Sequence, residues 1–446
     1  MLKTDARDIE AMPDTRQQRL RAWLTNAKYY LGLIVLLVLG ALTSPHAGDG
    51  SNIFLSAANF SDVFRQVANV GVMSTGMTLV IITAGIDLSV GSVMGFGSVL
   101  TAILLTTPGS NPASWTALGL DAISIFIVVF VLGGAVLGRS GRVRSGAPAR
   151  VGGRSRRHNL PLRVGLALAC ALLACFLAWH GLPGKVSLWT VLWMVPFAGL
   201  AIGALNGWII TRGRMQPFIV TLAAMVGVMG VARLVAGQDT AVYSIYSGTN
   251  ATTDIENLRA LLFGVIPVPA LFFIVIALIA EFVLNRTVFG KYLYAIGGNE
   301  KCARISGLQV DRHKIAAYAI SGMLSALVGV LYAAQYRQGK ADAGVGWELD
   351  AIAAVVIGGT SLMGGVGRIA GTVAGVLIFG FLGNILLLNN IDSNTQLVLK
   401  GMIIVIAVFL QQTRINPLAW LTRSRGQRVP LTPPVRQRDG AAELED

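Results

Sequence analysis

Few residues of this chain have types and spacings that suit catalysis or metal binding. The four histidines are scattered among loops and the ends of apolar runs, and the three cysteines form neither a metal-ligand spacing nor a disulfide framework. The glycine-rich GVGRIAG at 365–371 lacks the Lys-Ser/Thr of a P-loop and the spacing of a dinucleotide site, so we interpret it as a hinge between two spans. The sequence predicts that the chain is not an enzyme and binds no cofactor or metal itself.

An acidic residue inside an apolar run is the remaining chemical signal, and it stands almost alone there. Asp87 lies in TAGIDLSVGS, where Gly85 and Gly91 interrupt the helical pattern. A charge within the membrane is costly and marks a pathway or a buried pair, and a broken helix is tolerated only where it is buried in protein or lines a cavity. We predict that Asp87 caps the following helix beside Ser89, and we favour this structural role over an ion site.

A second interrupted run, ELDAIAAVVIGGTSLMGGVG at 348–367, resembles the first in its apolar stretch and its glycine pair. Such an echo is typical of transporters built from internal repeats, whose solute sites lie at broken helices. The residues predicted at the broken helices and along a pathway are Asp87, Ser89, Gly91, Asn206, Gly358, Gly359 and Thr360.

A polar segment at 286–314, with six Lys/Arg and two acidic residues, separates two long apolar runs. Within it, Asn299 is predicted to cap a short helix, Glu300 and Arg304 to pair at i,i+4, and Gly307 to end the helix. A loop between two spans that contains a capped helix indicates a surface to which another protein binds.

The composition indicates which elements must position these residues. Of the 446 residues, 54% are hydrophobic and 13% are charged, and the mean hydropathy is +0.65. Because a soluble domain carries about a quarter charged residues, we predict an all-α, polytopic helical membrane protein with about twelve spans of ~20 residues. The predicted spans are approximately 29–43, 67–84, 88–106, 118–138, 164–180, 188–211, 218–236, 260–284, 315–335, 350–365, 371–389 and 396–412.

The net charge of +14 is distributed as in a helical membrane protein, and we expect no nucleic-acid partner. Lys and Arg gather in tails 1–28 and 413–446 and in loops such as 139–163, whereas the opposite loops hold acidic residues, among them Asp350. This positive-inside pattern places both termini in the cytoplasm around a transmembrane domain at 29–412. The C-terminal tail is predicted to be disordered.

Two further segments carry expectations about packing. Residues 44–66 include an amphipathic stretch that we expect along the outer membrane interface, with its phenylalanines toward the acyl chains. Those phenylalanines are Phe54, Phe60 and Phe64. A tandem GxxxG ridge predicts close helix packing. Its members are Gly199, Gly203 and Gly207.

Four motifs give the chain a family resemblance. They are GMTLVIITAGIDLSVGSVMG at 76–95, PFIVTLA at 217–223, FGKYLYAIGGNEKCARISGLQV at 289–310 and ELDAIAAVVIGGTSLMGGVGRIAGT at 348–372. These motifs resemble the permease subunits of ribose- and xylose-type ABC importers, in the same order and over most of the membrane part.

The resemblance implies a subunit in the bacterial inner membrane that pairs with a second permease copy, identical or paralogous. It implies docking on a cytoplasmic ATPase that binds the ATP, and receipt of a pentose such as ribose or xylose from a periplasmic binding protein. Transport would follow alternating access driven by ATP hydrolysis. The resemblance also implies that 297–307 is the ATPase-coupling element. The implied coupling residues are Gly297, Gly298, Asn299, Glu300, Ala303, Arg304, Ser306 and Gly307.

The chain departs from the family pattern at 110–186, where two extra apolar runs flank the loop 139–163. We predict an inserted pair of spans, which preserves the orientation downstream. The loop itself holds eight arginines and no acidic residue, and it fixes orientation or binds anionic lipid. Other cargoes, a signalling furanose or a nucleoside, stay open, as do an ion-coupled carrier and a membrane enzyme. Candidate sugar contacts are Trp189, Trp193, Trp208, Asn206, Asn384 and Asn389.

Overall fold

The computed structural model of the chain describes residues 32–106, 188–237 and 242–412. The predicted spans 118–138 and 164–180, the arginine-rich loop 139–163 and both tails lie outside these residues. The helices described are α1 (Gly32–Thr43), α2 (Ala57–Ile82), α3 (Val90–Thr106), α4 (Leu188–Arg212), α5 (Pro217–Ala236), α6 (Val268–Arg286), α7 (Val288–Gly298), α8 (Glu300–Ile305), α9 (Val310–Tyr336), α10 (Trp347–Ile357), α11 (Ile369–Leu388) and α12 (Ser393–Gln412).

Two short antiparallel sheets and one 3-10 helix complete the described part. The strands are β1 (Val242–Ser244), β2 (Leu261–Leu262), β3 (Ile266–Pro267) and β4 (Gln338–Lys340), and the 3-10 helix is Thr253–Arg259. Strand β1 pairs with β4, and β2 pairs with β3 in a hairpin directly before α6. The hairpin is why α6 begins later than the span predicted at 260–284.

Five helices, α4, α5, α6, α9 and α11, are long and apolar enough to cross a membrane. Apart from the start of α6, each begins and ends within about five residues of a predicted span, which is the usual accuracy of helix boundaries. The chain is thus mostly helical with several membrane-crossing helices, as predicted.

Helix α9 lies at the centre of the bundle, and 72% of its most apolar 18-residue stretch is buried. The glycine ridge of α4 packs on it. A Cβ added at Gly203 would lie 2.1 Å from the oxygen of Tyr318, and one added at Gly199 would lie 2.3 Å from the oxygen of Gly322. The close helix packing predicted for the ridge is confirmed, because only glycine lets the two backbones approach this far.

The segment before α2 differs from its prediction. Helix α2 begins at Ala57, capped by Ser56, so residues 57–66 form the first turns of a long helix and not a separate amphipathic stretch. The ring of Phe54 is 1% exposed and packs at 6.0 Å from the rings of Phe60 and Phe381. The expectation that Phe54 faces the acyl chains is therefore wrong, because its ring is buried against Phe60 and Phe381.

The span predicted at 350–365 is wrong as a continuous helix. Helix α10 has 11 residues and ends at Ile357, with Gly358 as its C-cap. Before α10, strand β4 packs alongside α3, where Lys340 and Ser98 exchange hydrogen bonds at 2.9 and 3.1 Å. A Cβ added at Gly91 would lie 2.3 Å from the oxygen of Gly344. A half-length helix and the loop at 358–368 thus replace the predicted span.

Candidate functional site

The polar segment at 286–314 folds as short helices joined by a shared cap. Helix α7 ends at Gly298, and the Asn299 side chain accepts a hydrogen bond from the Cys302 N–H at 2.9 Å, which caps α8. Gly307 follows α8 with a φ of +81°, a left-handed conformation that glycine adopts without strain. The predicted cap, short helix and stop are confirmed.

Four charged side chains hold α8 against the start of α9. Arg304 Nη2 lies 3.2 Å from Glu300 Oε1 and 2.9 Å from Asp311 Oδ1. Lys314 Nζ lies 2.6 Å from Glu300 Oε2. The predicted pair of Glu300 and Arg304 is thus part of a network that links α8 to α9. Because exposed ion pairs each contribute little free energy, we assign the network to orienting α8.

The network changes the titration of two of its members. Burial disfavours ionisation of Glu300, but the hydrogen bonds and charges of Lys314 and Arg304 outweigh it, so the pKa of the Glu300 carboxyl is lowered. The hydrogen bond to Asp311, followed by that to Glu300, raises the pKa of the Arg304 guanidinium. Both groups are therefore charged at neutral pH, and the ion pairs persist there.

One side of α8 is packed and the other is open. Ala303 and Val310 are 6% and 1% exposed and lie in a small apolar cluster beneath the helix. A Cβ added at Gly298 would meet no atom within 4 Å, Cys302 is an exposed free thiol, and Ile305 is 78% exposed. We call Gly298, Cys302 and Ile305 the docking face. Of the implied coupling residues, Ala303 faces inward and Gly298 lies on this face.

The inner side of α7 contacts both interrupted helices at one point. The N–H of Gly365 donates to the carbonyl oxygen of Ile82 at 2.9 Å, which joins the loop before α11 to the end of α2. A Cβ added at Gly297 would lie 1.7 Å from the same Ile82 oxygen and 2.4 Å from the Gly365 nitrogen. We call Ile82, Gly297 and Gly365 the three-way junction. Glycine alone fits at Gly297, because any side chain there would overlap the backbone.

Asp87 lies between α2 and α3 and is completely buried. Its carboxylate accepts hydrogen bonds from the Ser89 N–H at 3.1 Å and from the hydroxyls of Ser89 and Ser321 at 2.6 and 2.9 Å. The Asn206 amide donates to Ser89 Oγ at 3.0 Å. The first break is thereby fastened to α4 and α9, and the geometry agrees with the capping role predicted for Asp87.

The remaining predicted pathway residues lie in tight backbone contacts. A Cβ added at Gly358 would lie 2.4 Å from the oxygen of Gly371. Gly359 has a φ of +87°, and Thr360 is completely buried beside Gly367. The structure thus brings the predicted residues of both breaks into the protein interior. Their place along a solute pathway stays a prediction.

The side chains predicted as sugar contacts are not brought together. Trp189, Trp193 and Trp208 on α4 are 72%, 64% and 54% exposed. Asn384 of α11 is buried and exchanges hydrogen bonds with Asn59 of α2 at 2.7 and 3.1 Å. Asn206 is held by Ser89, and Asn389 donates to the oxygen of its neighbour Ile385. These aromatic and amide groups do not form one binding site.

Sequence reasoning missed an ion pair between helices. Lys400 Nζ of α12 lies 3.0 and 2.9 Å from the two carboxylate oxygens of Asp350, in the first turn of α10. Asp350 was expected in a loop, and Asp87 was expected to stand almost alone among the spans. The first expectation is wrong, because Asp350 lies in the first turn of α10, and the second stays a prediction. The available signal was Lys400 itself, a lysine within the predicted span 396–412.

The described residues hold no group of three His, Cys, Asp or Glu side chains that would bind a metal ion. What they offer is an exposed docking face, a network of charges and a backbone junction between broken helices.

Comparison with known proteins supplies the family. Residues 153–408 match the model described as branched-chain amino acid transport system / permease component. The ribose import permease RbsC of Escherichia coli K12 is 33% identical over 405 residues, which cover 90% of this chain and 97% of that protein. The chain belongs to this family of ABC-importer permeases. The permease is therefore a transport subunit and a multi-pass protein of the bacterial inner membrane.

Further relatives agree with this assignment. Bacillus subtilis RbsC is 34% identical over 391 residues, 86% of this chain and 92% of that protein. The Escherichia coli xylose transport permease XylH is 31% identical over 385 residues, 80% and 85% of the two chains. Members of this family work with an ATPase and a binding protein. No solved structure matches the permease significantly.

Proposed function

We propose that the permease carries a monosaccharide, a pentose such as ribose or xylose, by alternating access driven by a separate ATPase. The three-way junction is the observation that carries this proposal. A force on α7 and α8 would reach the end of α2 and the loop before α11 directly, because all three meet through backbone atoms. Closure of the ATPase on ATP would then shift both breaks together in a two-state change.

The substrate class is supported by the relatives, which are named as ribose and xylose permeases. In our proposal the permease binds no nucleotide, metal or other cofactor, and ATP binds to the partner ATPase. The implied coupling residues would act in two ways. Gly298 would contact the ATPase through the docking face, and Glu300 and Arg304 would hold α8 at the correct angle.

The orientation that suits this function has about twelve spans of ~20 residues, an inserted pair at 110–186 and both termini in the cytoplasm. The Lys/Arg-rich segments and the docking face then lie on the same, cytoplasmic side of the membrane. The pairing of β1 with β4, and the ion pair of Arg337 with Glu256 at 2.8 Å, would brace the surface that receives the binding protein.

A second permease copy is proposed to pack against α12, whose outward side chains are apolar and exposed. Leu397, Val405 and Phe409 are 64%, 68% and 59% exposed. In the membrane, a second copy or lipid would cover these side chains. The arginine-rich loop 139–163 would bind anionic lipid head groups at the cytoplasmic surface.

Reconstitution in proteoliposomes tests the function. We expect uptake of labelled ribose or xylose only when the permease, its ATPase, its binding protein and ATP are all present. Uptake without the ATPase but with an ion gradient would contradict the proposal and indicate an ion-coupled carrier. Competition by a nucleoside or a furanose, without competition by pentoses, would reassign the cargo while retaining the mechanism.

A further inference from the structure

A cavity of about 240 Å³ lies between α2, α10, α11 and α12, beside the ion pair missed by sequence reasoning. Its polar side is formed by Gln66, Asp350, Gln396 and Lys400, and its apolar side includes Phe379. None of the residues predicted for the pathway lines it. It has room for about eight waters at the ~30 Å³ that each occupies in the liquid, and so for one small solute.

The cavity extends along a membrane-crossing helix from its middle to its C-terminal end, because Phe379, Gly383 and Leu387 of α11 and Ser393 at the start of α12 all line it. Phe379 is ten residues after Ile369 in α11, which places it about 15 Å from that end at 1.5 Å per residue. The hydrocarbon core is ~30 Å thick. Transporter sites for solutes lie near this midplane, at the ends of broken helices. Helix α10 is such a broken helix, and Asp350 lies in its first turn.

The ion pair requires an explanation beyond stability. The side chains of Lys400 and Asp350 are only 23% and 20% exposed. The pair is partly buried, so the cost of removing its charges from water offsets part of their attraction, and stability is a weak explanation for it. Charged groups at membrane depth mark functional sites. The pair supplies strong hydrogen-bonding groups with no net charge, which suits a neutral polar solute.

The remaining lining has the hydrogen-bonding capacity that a sugar needs. A carboxylate has about four lone-pair sites, and the bonds to Lys400 leave part of the Asp350 capacity available. The Gln66 amide makes no hydrogen bond to another described residue, and Gln396 uses one amide N–H to bond the oxygen of Ile391 at 2.9 Å. The opposing Phe379 ring offers an apolar surface for the C–H face of a sugar.

We infer that this cavity is a binding site for the transported monosaccharide inside the permease, with Gln66, Gln396, Asp350 and Lys400 as its hydrogen-bonding groups. The inference rests on the proposed function, because it takes the cargo to be a neutral sugar. It assigns part of the selectivity to the permease itself, in addition to the binding protein.

Filling the cavity is the first test. A Cβ added at Gly383, which lines the cavity, would meet no atom within 4 Å, so larger side chains enter the open space. In the full complex, Gly383→Ala, Gly383→Val and Gly383→Leu should reduce maximal uptake progressively. We expect about a tenfold loss for leucine, equivalent to ~1.4 kcal/mol. ATP hydrolysis stimulated by the binding protein should persist. Gly227→Leu on α5, where the added side chain also meets open space, is the matched control and should transport normally.

Wild-type uptake by Gly383→Leu would overturn the inference. So would a parallel fall of uptake, ATP hydrolysis and thermal stability, because that pattern indicates a structural role. If the wild-type complex shows no ATP-dependent pentose uptake, the proposed function fails instead, and the two failures are thus distinguishable.

Thiol protection tests the site without the ATPase. In a variant whose three native cysteines are serine, Gln396→Cys should react with a maleimide, and ribose or xylose should slow that reaction. Gln216→Cys, an exposed position before α5, should react at the same rate with and without sugar. Leucine should give no protection. Protection by leucine but not by pentoses, or no protection by either, would overturn the inference.

Discussion

The carbonyl oxygen of Ile82 accepts a hydrogen bond from the Gly365 N–H at 2.9 Å, although Ile82 ends α2 and Gly365 lies in the loop before α11. Gly297, at the end of α7, contacts both atoms. The junction therefore joins two distant parts of the chain to the segment that we assign to ATPase coupling. The three segments are the end of α2, the end of α7 and the loop before α11. If one of them moves, the other two must move with it or the contact breaks.

Gly297→Ala should disrupt the three-way junction. The added methyl would overlap the Ile82 oxygen, and overpacking of this kind costs about 3 kcal/mol in an interior that cannot adjust. We expect a lower melting temperature in detergent and loss of transport. Gly298→Ala is the matched control for stability, since its methyl meets open space, and its melting temperature should equal that of wild type. Equal behaviour of the two variants would contradict the junction.

Gly298→Trp should block ATPase docking without harming the fold. The indole would project from the docking face, where a Cβ meets no atom of the permease. We expect normal membrane insertion and melting temperature, with loss of ATPase co-purification and of transport. Retained transport would show that Gly298 lies outside the contact. Glu300→Arg is a less specific test, because it also breaks the internal pairs with Arg304 and Lys314.

Native Cys302 offers a direct probe of the same contact. Its thiol is exposed on α8, so a maleimide should label it in the isolated permease. With Cys170 and Cys175 replaced by serine, binding of the ATPase should slow this labelling, and Gly298→Trp should abolish the protection. Unchanged labelling in a complex shown to be assembled would place the ATPase elsewhere.

Acidification should loosen α8. The pKa of Glu300 is lowered in the folded state, so its ion pairs contribute fully above the ordinary value of 4.5 and are lost as the pH falls through the lower folded value. A spin label attached to Cys302 should therefore become more mobile as the pH falls below 4.5. Glu300→Gln should show a mobile label at neutral pH and no such transition. A transition of the same size in that variant would assign it to another group.

Substitutions of Asp87 should separate a structural from an ionic role. An asparagine retains one oxygen to accept the Ser89 bonds and an amide to meet Ser321, so Asp87→Asn should fold and transport nearly normally. Asp87→Ala leaves buried donors unsatisfied, at about 1–3 kcal/mol each, and should lower the melting temperature. Loss of transport in Asp87→Asn at unchanged stability would instead indicate ion coupling.

Local signals in the sequence predicted much of the fold. Apolar runs located the five membrane-crossing helices, the GxxxG spacing located the face between α4 and α9, and Asn299 and Gly307 located the ends of α8. Each of these depends on residues close together in sequence. Contacts between distant residues were not predictable in the same way. The Ile82–Gly365 bond, the Lys400–Asp350 pair and the burial of Phe54 depend on how helices assemble, and no spacing within one segment encodes them.

The short length of α10 has a consequence for how the protein is made. A segment needs ~20 apolar residues to enter the bilayer as an independent helix, and α10 has 11. It must therefore insert together with neighbouring helices, and it reaches its position only after Gly344 packs against Gly91 of α3. A bulky residue at Gly91 would prevent α10 from packing into the helix bundle during biosynthesis. Such a variant would be cleared by proteases, and its defect would register as low abundance instead of slow transport.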